Sequence, residues 1–280
     1  MIIKNYVKAK TLKEAYILYQ KKNNYLLGGM LWTRLTNKNV DTLIDISKLN
    51  LSYINEKRDK FIIGASTTLR DIETHKQLNK YFSNLFNESL KSIVGVQFRN
   101  MATIGGSIYQ RAGYSDILTA LLSCSVKVSL YGENDGKQGE FIVDLKDYIR
   151  MPYDRNIIKE IIIFKEEKTY LFERVAISET DFAVLNAAFS IDRKCSLNSL
   201  KAVYGSRPEK SFLIDFGDEN KKGSYKIGQS GRLDENSIAT IVDYISKNIK
   251  VTSNLRGSKE YRVRLLKNLS EKNLIKFRSH

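Results

Sequence analysis

Phe98-Arg99-Asn100-Met101-Ala102-Thr103-Ile104-Gly105-Gly106-Ser107-Ile108, followed nine residues after Ser107 by Asp116, is the stretch on which the reading of this chain turns. Its glycine pair sits in a loop flanked by two helical patterns, the second running from Asp116 to Ser123. Glycine has no side chain, so its main-chain N–H can come close to an anion and its backbone can take dihedrals that other residues avoid. A second pair, Gly28-Gly29, ends the short apolar run Tyr25 to Leu27, which reads as a buried strand. Each pair is a candidate cradle for a diphosphate, although an isolated glycine pair is more often merely a tight turn. Neither has the G-x-G-x-x-G spacing of a classical dinucleotide fold or the lysine-bearing phosphate loop of a nucleotide hydrolase. Spacing alone leaves both readings open.

Upstream, Thr11 and Glu14 have capping-box spacing, and Leu12, Ala15, Tyr16 and Tyr19 recur at helical intervals, so a helix is predicted from Thr11 to about Lys22. Strands are predicted at Thr42 to Ile46 and Phe61 to Ala65, then a helix over Leu69 to Leu78 capped by Thr68 and Asp71. Downstream, Val126 to Tyr131 alternates as a strand, Gly132 to Gly139 reads as a polar loop, and Phe141 to Val143 as a strand. Ile157 to Phe164 is rich enough in Ile to be a strand buried on both faces. Beyond it, three strands (Tyr170 to Val175, Phe182 to Ile191, Leu197 to Tyr204) and two helices (Glu235 to Lys247, Lys259 to Leu269) make a separate α+β domain. The expected division is 1–165, with lobes of about 1–52 and 53–165, and 166–280.

Composition narrows the chemistry. A chain of 280 residues that is 42% hydrophobic can bury one large core or two modest ones. No run approaches the roughly 20 apolar residues of a membrane-spanning helix, and Met1 to Lys10 lacks the apolar stretch of a secretion signal, so the cytoplasm is the expected compartment. With only His75 and His280, and with Cys124 and Cys195 far apart, there is little material for a Ser-His-Asp triad, a zinc site or an iron–sulfur cluster. Any redox chemistry has to come with a cofactor. The net charge of +15 is spread through the sequence rather than gathered in an arm or recognition helix. That favours a Lys-rich surface, suited to an acidic partner, over nucleic-acid binding.

The full strings say more than the glycines. Phe98 to Ile108 with Asp116 closely resembles the flavin-binding signature of the xanthine dehydrogenase and carbon monoxide dehydrogenase flavoprotein family. The resemblance extends to Leu27-Gly28-Gly29, to Ile63-Gly64-Ala65-Ser66-Thr67-Thr68-Leu69, and to Arg256-Gly257-Ser258-Lys259-Glu260-Tyr261-Arg262, so it spans nearly the whole chain. It implies an α+β fold: a two-lobed FAD-binding domain of the vanillyl-alcohol-oxidase-like type, then a smaller α+β domain with a three-stranded antiparallel sheet and helices. FAD is the implied cofactor, stretched between the lobes. The implied partners are a molybdopterin-binding large subunit and a small subunit carrying two-iron two-sulfur clusters, with NAD as an acceptor. The implied activity is that of a flavoprotein component of an oxidoreductase, with purines or related N-heterocycles hydroxylated on another subunit.

The residues that the resemblance places at the cofactor are Leu27, Gly28, Gly29, Met30, Thr68, Ala102, Thr103, Gly105, Gly106, Ser107, Asp116 and Asp181. Gly28 and Gly29 would give amides to the diphosphate from one side, and Thr103, Gly105 and Gly106 from the other. Asp116 would accept hydrogen bonds from sugar or ribityl hydroxyls, its alternative being a helix N-cap. Asp181 would lie beside the flavin ring and tune it electrostatically, or simply start a strand from solvent. Arg99 and Asn100 would hold the loop in shape, and Ser258 would cap a helix against which Tyr261 packs. Two departures stand out: Met30-Leu31-Trp32 follow the first pair where the family often has a hydroxyl side chain, and Glu173-Arg174 stand where some relatives have a lysine. A scaffold that has lost FAD and a self-sufficient flavin oxidase are the competing readings.

Overall fold

The computed structural model describes residues 1–31, 35–218 and 231–279. In chain order the first elements are β1 (Ile2–Lys8), α1 (Leu12–Tyr19), β2 (Asn24–Leu27), β3 (Asn39–Asp45), β4 (Ile54–Glu56) and β5 (Lys60–Gly64). There follow α2 (Leu69–Thr74), α3 (Lys76–Tyr81), α4 (Leu85–Leu90), α5 (Val96–Arg99), α6 (Ile104–Tyr109) and α7 (Asp116–Leu122). Then come β6 (Val126–Asn134), β7 (Lys137–Asp144), α8 (Leu145–Tyr148) and β8 (Ile157–Phe164). The last are β9 (Lys168–Val175), β10 (Leu185–Asp192), β11 (Lys201–Gly205), β12 (Phe212–Asp215), α9 (Glu235–Asn248) and α10 (Lys259–Arg278). The chain divides into two compact units, each built from several segments: 1–72, 95–110 and 126–165 in the first, 73–94, 111–125 and 166–280 in the second. The helical pieces 73–94 and 111–125 thus go with the C-terminal part of the chain.

The first unit holds two sheets. In one, β3 lies between β1 and β2, all parallel, with Leu27 opposite Asp45 at the end of β2. Thr11 caps α1 through the Glu14 amide at 3.1 Å, while the Glu14 carboxylate turns to the Lys10 amide rather than to Thr11. Ala15, Tyr16 and Tyr19 of α1 then pack on Ile44, Ile46, Leu51 and Ile157 in one core. The other sheet is antiparallel in the order β4-β5-β8-β6-β7. Central in the sheet between β5 and β6, β8 has Ile161 and Ile163 fully buried on one face and Ile162 8% exposed on the other, so both faces are covered and the Ile run is unbroken. The expected loop from Gly132 to Gly139 is instead the end of a hairpin. β6 and β7 pair down to Asn134 and Lys137, and Asp135-Gly136 make the turn with φ of 50° and 74°.

In the second unit the antiparallel sheet has four strands, β12-β11-β10-β9, rather than the three expected. Its core joins Leu185, Ala187 and Phe189 of β10 to Ile238, Ile241 and Ile245 of α9 and Leu266, Leu274 and Phe277 of α10. The expected helix over Leu69 to Leu78 is broken at His75, whose Nδ1 accepts from the Leu78 amide at 3.1 Å and so starts α3. α10 runs nine residues past the expected end at Leu269, to Arg278. Among the described residues no helix is long and apolar enough to cross a membrane, and no cluster of His, Cys, Asp and Glu is arranged to hold a metal.

Candidate flavin site

Three segments of the first unit converge: 28–30 after β2, 65–69 after β5, and 101–106 leading into α6. The last two are laced together by main-chain bonds, Gly105 N–H to Ala65 O at 2.9 Å, Ile104 N–H to Thr67 O at 3.0 Å and Leu69 N–H to Ala102 O at 2.8 Å. Close approach is what requires glycine here. A Cβ on Gly105 would stand 2.7 Å from the Ala65 oxygen and 2.8 Å from the Ala65 Cβ, and one on Gly29 would run into the Met101 carbonyl. Gly28 and Gly106 are exposed, and both border the same atom. A Cβ on either would lie 3.4 Å and 3.2 Å, respectively, from Thr103 Oγ1.

Hydrogen-bond accounting separates the two turns. The amides of Gly28, Gly29 and Met30 donate to no acceptor among the described residues. Those of the second turn are committed: Gly105 to Ala65, Gly106 to Thr103 Oγ1 at 3.3 Å, and Ser107 to Thr103 O at 3.0 Å. The amide donation expected from Gly105 and Gly106 is therefore used inside the protein. Thr103 caps α6, and its hydroxyl proton is still available to an anion. Thr68 caps α2, taking the Asp71 amide at 3.1 Å and donating to Asp71 Oδ2 at 2.7 Å. Ala102 is buried, and Met30 adopts a left-handed φ of 48°. Trp32, the third residue of the departing turn, lies outside the described residues.

Asp116 and Asp181 both belong to the second unit. Ser115, not Asp116, caps α7. The Asp116 carboxylate is 6% exposed, accepts from Asn186 Nδ2 and lies 3.1 Å from Arg174 Nε, whose N–H is off-line, so charge rather than a hydrogen bond holds that pair. Burial lifts its pKa to about 6, against the pull of Arg174 and Asn186. Arg174 also donates to the main-chain carbonyls of Glu179, at 2.6 Å, and Asp181. Asp181 Oδ1 accepts from the Phe182 amide at 2.7 Å and from Arg256 at 3.3 Å, and the Arg256 guanidinium stacks over the Phe182 ring. Glu173 is taken by Lys272 and Lys276, whose charges hold its carboxyl low despite burial.

A model of the family described as FAD binding domain in molybdopterin dehydrogenase matches residues 2–165. The chain belongs to this family. FAD is its cofactor, and it is the flavoprotein component of an oxidoreductase. The glyceraldehyde dehydrogenase medium chain of Sulfolobus acidocaldarius is 26% identical over 283 residues, 96% of either chain. Among solved structures, carbon monoxide dehydrogenase from Hydrogenophaga pseudoflava superposes with a TM-score of 0.80 at 18% identity, over 96% of this chain and 94% of that one. Quinoline 2-oxidoreductase from Pseudomonas putida 86 does so with 0.79 at 16%, over 99% and 96%. Those two likenesses establish the fold. The first unit of this flavoprotein fits the cofactor: amides at 28–30 with no acceptor among the described residues, and glycines without Cβ at 28 and 106, flank one hydroxyl.

Three side chains to which the sequence assigned no role, Arg262, Asn186 and Arg155, each organise hydrogen bonds within their own unit. Arg262, fully buried, donates to Val184 O at 2.9 Å, Thr252 O at 2.7 Å, Gly257 O at 2.5 Å and Asn254 Oδ1 at 2.6 Å. It sat in the Arg256–Arg262 string, whose expected Ser258 cap is present at 3.1 Å, but Tyr261 is 45% exposed rather than packed. Asn186 and Arg155 gave no signal in a single sequence, since each acts on residues distant along the chain, whereas Arg174, marked there only as part of the Glu173-Arg174 departure, pairs with Asp116.

Proposed function

We propose that this chain carries electrons within a molybdenum-containing hydroxylase, from two-iron two-sulfur clusters on a small partner subunit to an acceptor such as NAD. The molybdopterin-binding large subunit would hold the substrate. FAD, when bound, supplies a group that takes up and releases electrons singly or in pairs, which suits it to stand between clusters and a two-electron acceptor. The chain's own residues bind and orient it. Gly28, Gly29 and Met30 would donate amides to the diphosphate, with the Thr103 hydroxyl adding a donor. Leu27, Ala102, Gly105, Ser107 and Thr68 fix the positions of these groups, and the bare surface of Gly106 leaves room for the phosphates. Asp116 and Asp181 are proposed as the carboxylates toward the sugar hydroxyls and the ring.

The single observation carrying this reading is the set of amides at 28–30 that donate to no acceptor among the described residues, beside Thr103 Oγ1. A xanthine-type substrate for the whole assembly is one expectation, and the relative named as the medium chain of a glyceraldehyde dehydrogenase adds small aldehydes as another. The cytoplasm is the proposed compartment. Co-expression with both partner subunits, followed by NAD reduction with glyceraldehyde or xanthine as donor, tests the assignment. Reduction that requires all three chains is the expected result. Bleaching of the flavin by an organic donor with this chain alone would favour a stand-alone oxidase, and a chain that never takes up FAD would favour a scaffold.

A further inference from the structure

The C-terminal end of α1 leaves carbonyls without helical partners, and its last turn holds no basic residue of its own to meet them. A distant one does. Arg155 donates through Nη1 to the carbonyls of Tyr19 and of Lys21, at 2.8 Å, and through Nη2 to Lys22 O at 2.6 Å, with Asn24 O at 3.4 Å from Nη1. Its guanidinium also stacks on the Tyr19 ring, 4.7 Å from the centroid. The chain segment so gripped is the turn that launches β2, and β2 is a four-residue strand that leads directly into Gly28.

The two residues before Arg155 hold the other element. Tyr109, the last residue of α6, donates to Asp154 O at 3.1 Å, and Tyr153 donates to Gln110 O at 2.6 Å. A carbonyl only accepts, so Tyr109 spends its proton there and Tyr19 must donate to it across the 2.9 Å that separates the two phenols. Burial and that hydrogen bond push the Tyr19 phenol far above its usual range, so it keeps its proton at any working pH. β2 and α6 are therefore tied through Tyr19, Tyr109 and 153–155 at the end away from the glycines, and run close together at the glycine end, where a Cβ on Gly29 would meet the Met101 carbonyl.

We infer that Tyr153-Asp154-Arg155 is a strap that sets the spacing of the two glycine turns, with Arg155 as a positioning residue for the FAD diphosphate. The inference rests on the FAD reading of these turns. Without the strap, the turns sample spacings of which only a fraction can accept the diphosphate, and apparent affinity falls by that fraction. The strap touches no flavin. Its loss is felt by any ligand carrying the diphosphate and not by one lacking it.

The test compares wild type, Arg155→Ala and Tyr109→Phe for affinity toward FAD, ADP and riboflavin, together with the thermal midpoint of the ligand-free protein. Arg155→Ala is expected to weaken FAD and ADP by the same factor, about tenfold, and Tyr109→Phe by about threefold, with riboflavin unchanged in both. ADP affinity within twofold of wild type in both variants overturns the strap. So does an equal fall for ADP and riboflavin that tracks a lowered midpoint, because the residues are then merely structural. Should Arg155→Ala fail to fold, Tyr109→Phe, which removes one oxygen, decides between these outcomes. A wild-type chain that takes up neither FAD nor ADP brings down the reading of the turns themselves, and the strap with it.

Discussion

Gly28 faces the hydroxyl of Thr103: a methyl on its Cα would stand 3.4 Å from Thr103 Oγ1, ordinary van der Waals contact. Two turns separated by some seventy residues of sequence are thereby neighbours around one hydroxyl, although only in the first do the amides find no acceptor among the described residues. The two glycine pairs consequently do different work. Gly28 leaves space for a ligand, whereas Gly105 lets the chain itself come close at Ala65.

That difference is testable by substitution. Gly28→Ala is expected to leave the stability of the ligand-free protein within about 0.5 kcal/mol of wild type while weakening FAD. Gly105→Val, whose side chain would be driven into Ala65, is expected to cost about 1–3 kcal/mol as well as FAD binding. Urea unfolding of the ligand-free proteins, paired with flavin titration, checks both. Equal stability loss in the two variants would contradict the distinction.

Asp116 predicts a pH dependence of definite sign. Its folded pKa, about 6, lies above the ordinary 3.8, so the native state holds the proton more tightly than the unfolded chain. The favourable contribution is complete below about pH 4 and is lost as pH rises through 6, amounting to roughly 3 kcal/mol. Carboxyls held low, such as Glu173 and Glu166, act in the opposite sense and lose their contribution as pH falls through their folded values. The comparison to make is therefore between slopes. Between pH 4 and 6, urea-derived stability of wild type should fall relative to that of Asp116→Asn, and parallel profiles would refute the assignment.

Arg262 offers a third check. Lysine keeps the charge but cannot serve four acceptors spread around a planar fork, so Arg262→Lys is expected to cost about 2–3 kcal/mol and to loosen the 252–258 turn. Hydrogen exchange at Asn254 to Gly257 would show the loosening. Unchanged protection would mean that the turn is held by its own Asn254 and Gly257 pairing.

How far the fold could be read depended on how each element buries itself. β8 was legible because burial on both faces leaves a run of Ile, and α1 because its cap and apolar face agree. β1 was missed because six of its seven residues are more than a third exposed, so neither face carries an apolar period. α10 was cut short because Ser270 and Asn273, fully buried, occupy core-facing positions: Ser270 bonds to Tyr204 and Leu266, Asn273 to Leu269. Polar residues at those places break the apolar period on which the reading relied. The glycine turns were legible as strings, whereas the spending of the Gly105 and Gly106 amides was not, since their acceptors depend on how the chain folds back at Ala65 and Thr103.

The most direct test of the central claim is the absorbance spectrum of this chain after incubation with FAD and removal of the excess, set beside that of Gly28→Ala. The account expects stoichiometric flavin on the wild type, no iron–sulfur bands, and a marked loss of flavin from the variant. A wild-type protein that emerges colourless, or a variant that retains as much flavin as the wild type, would contradict it.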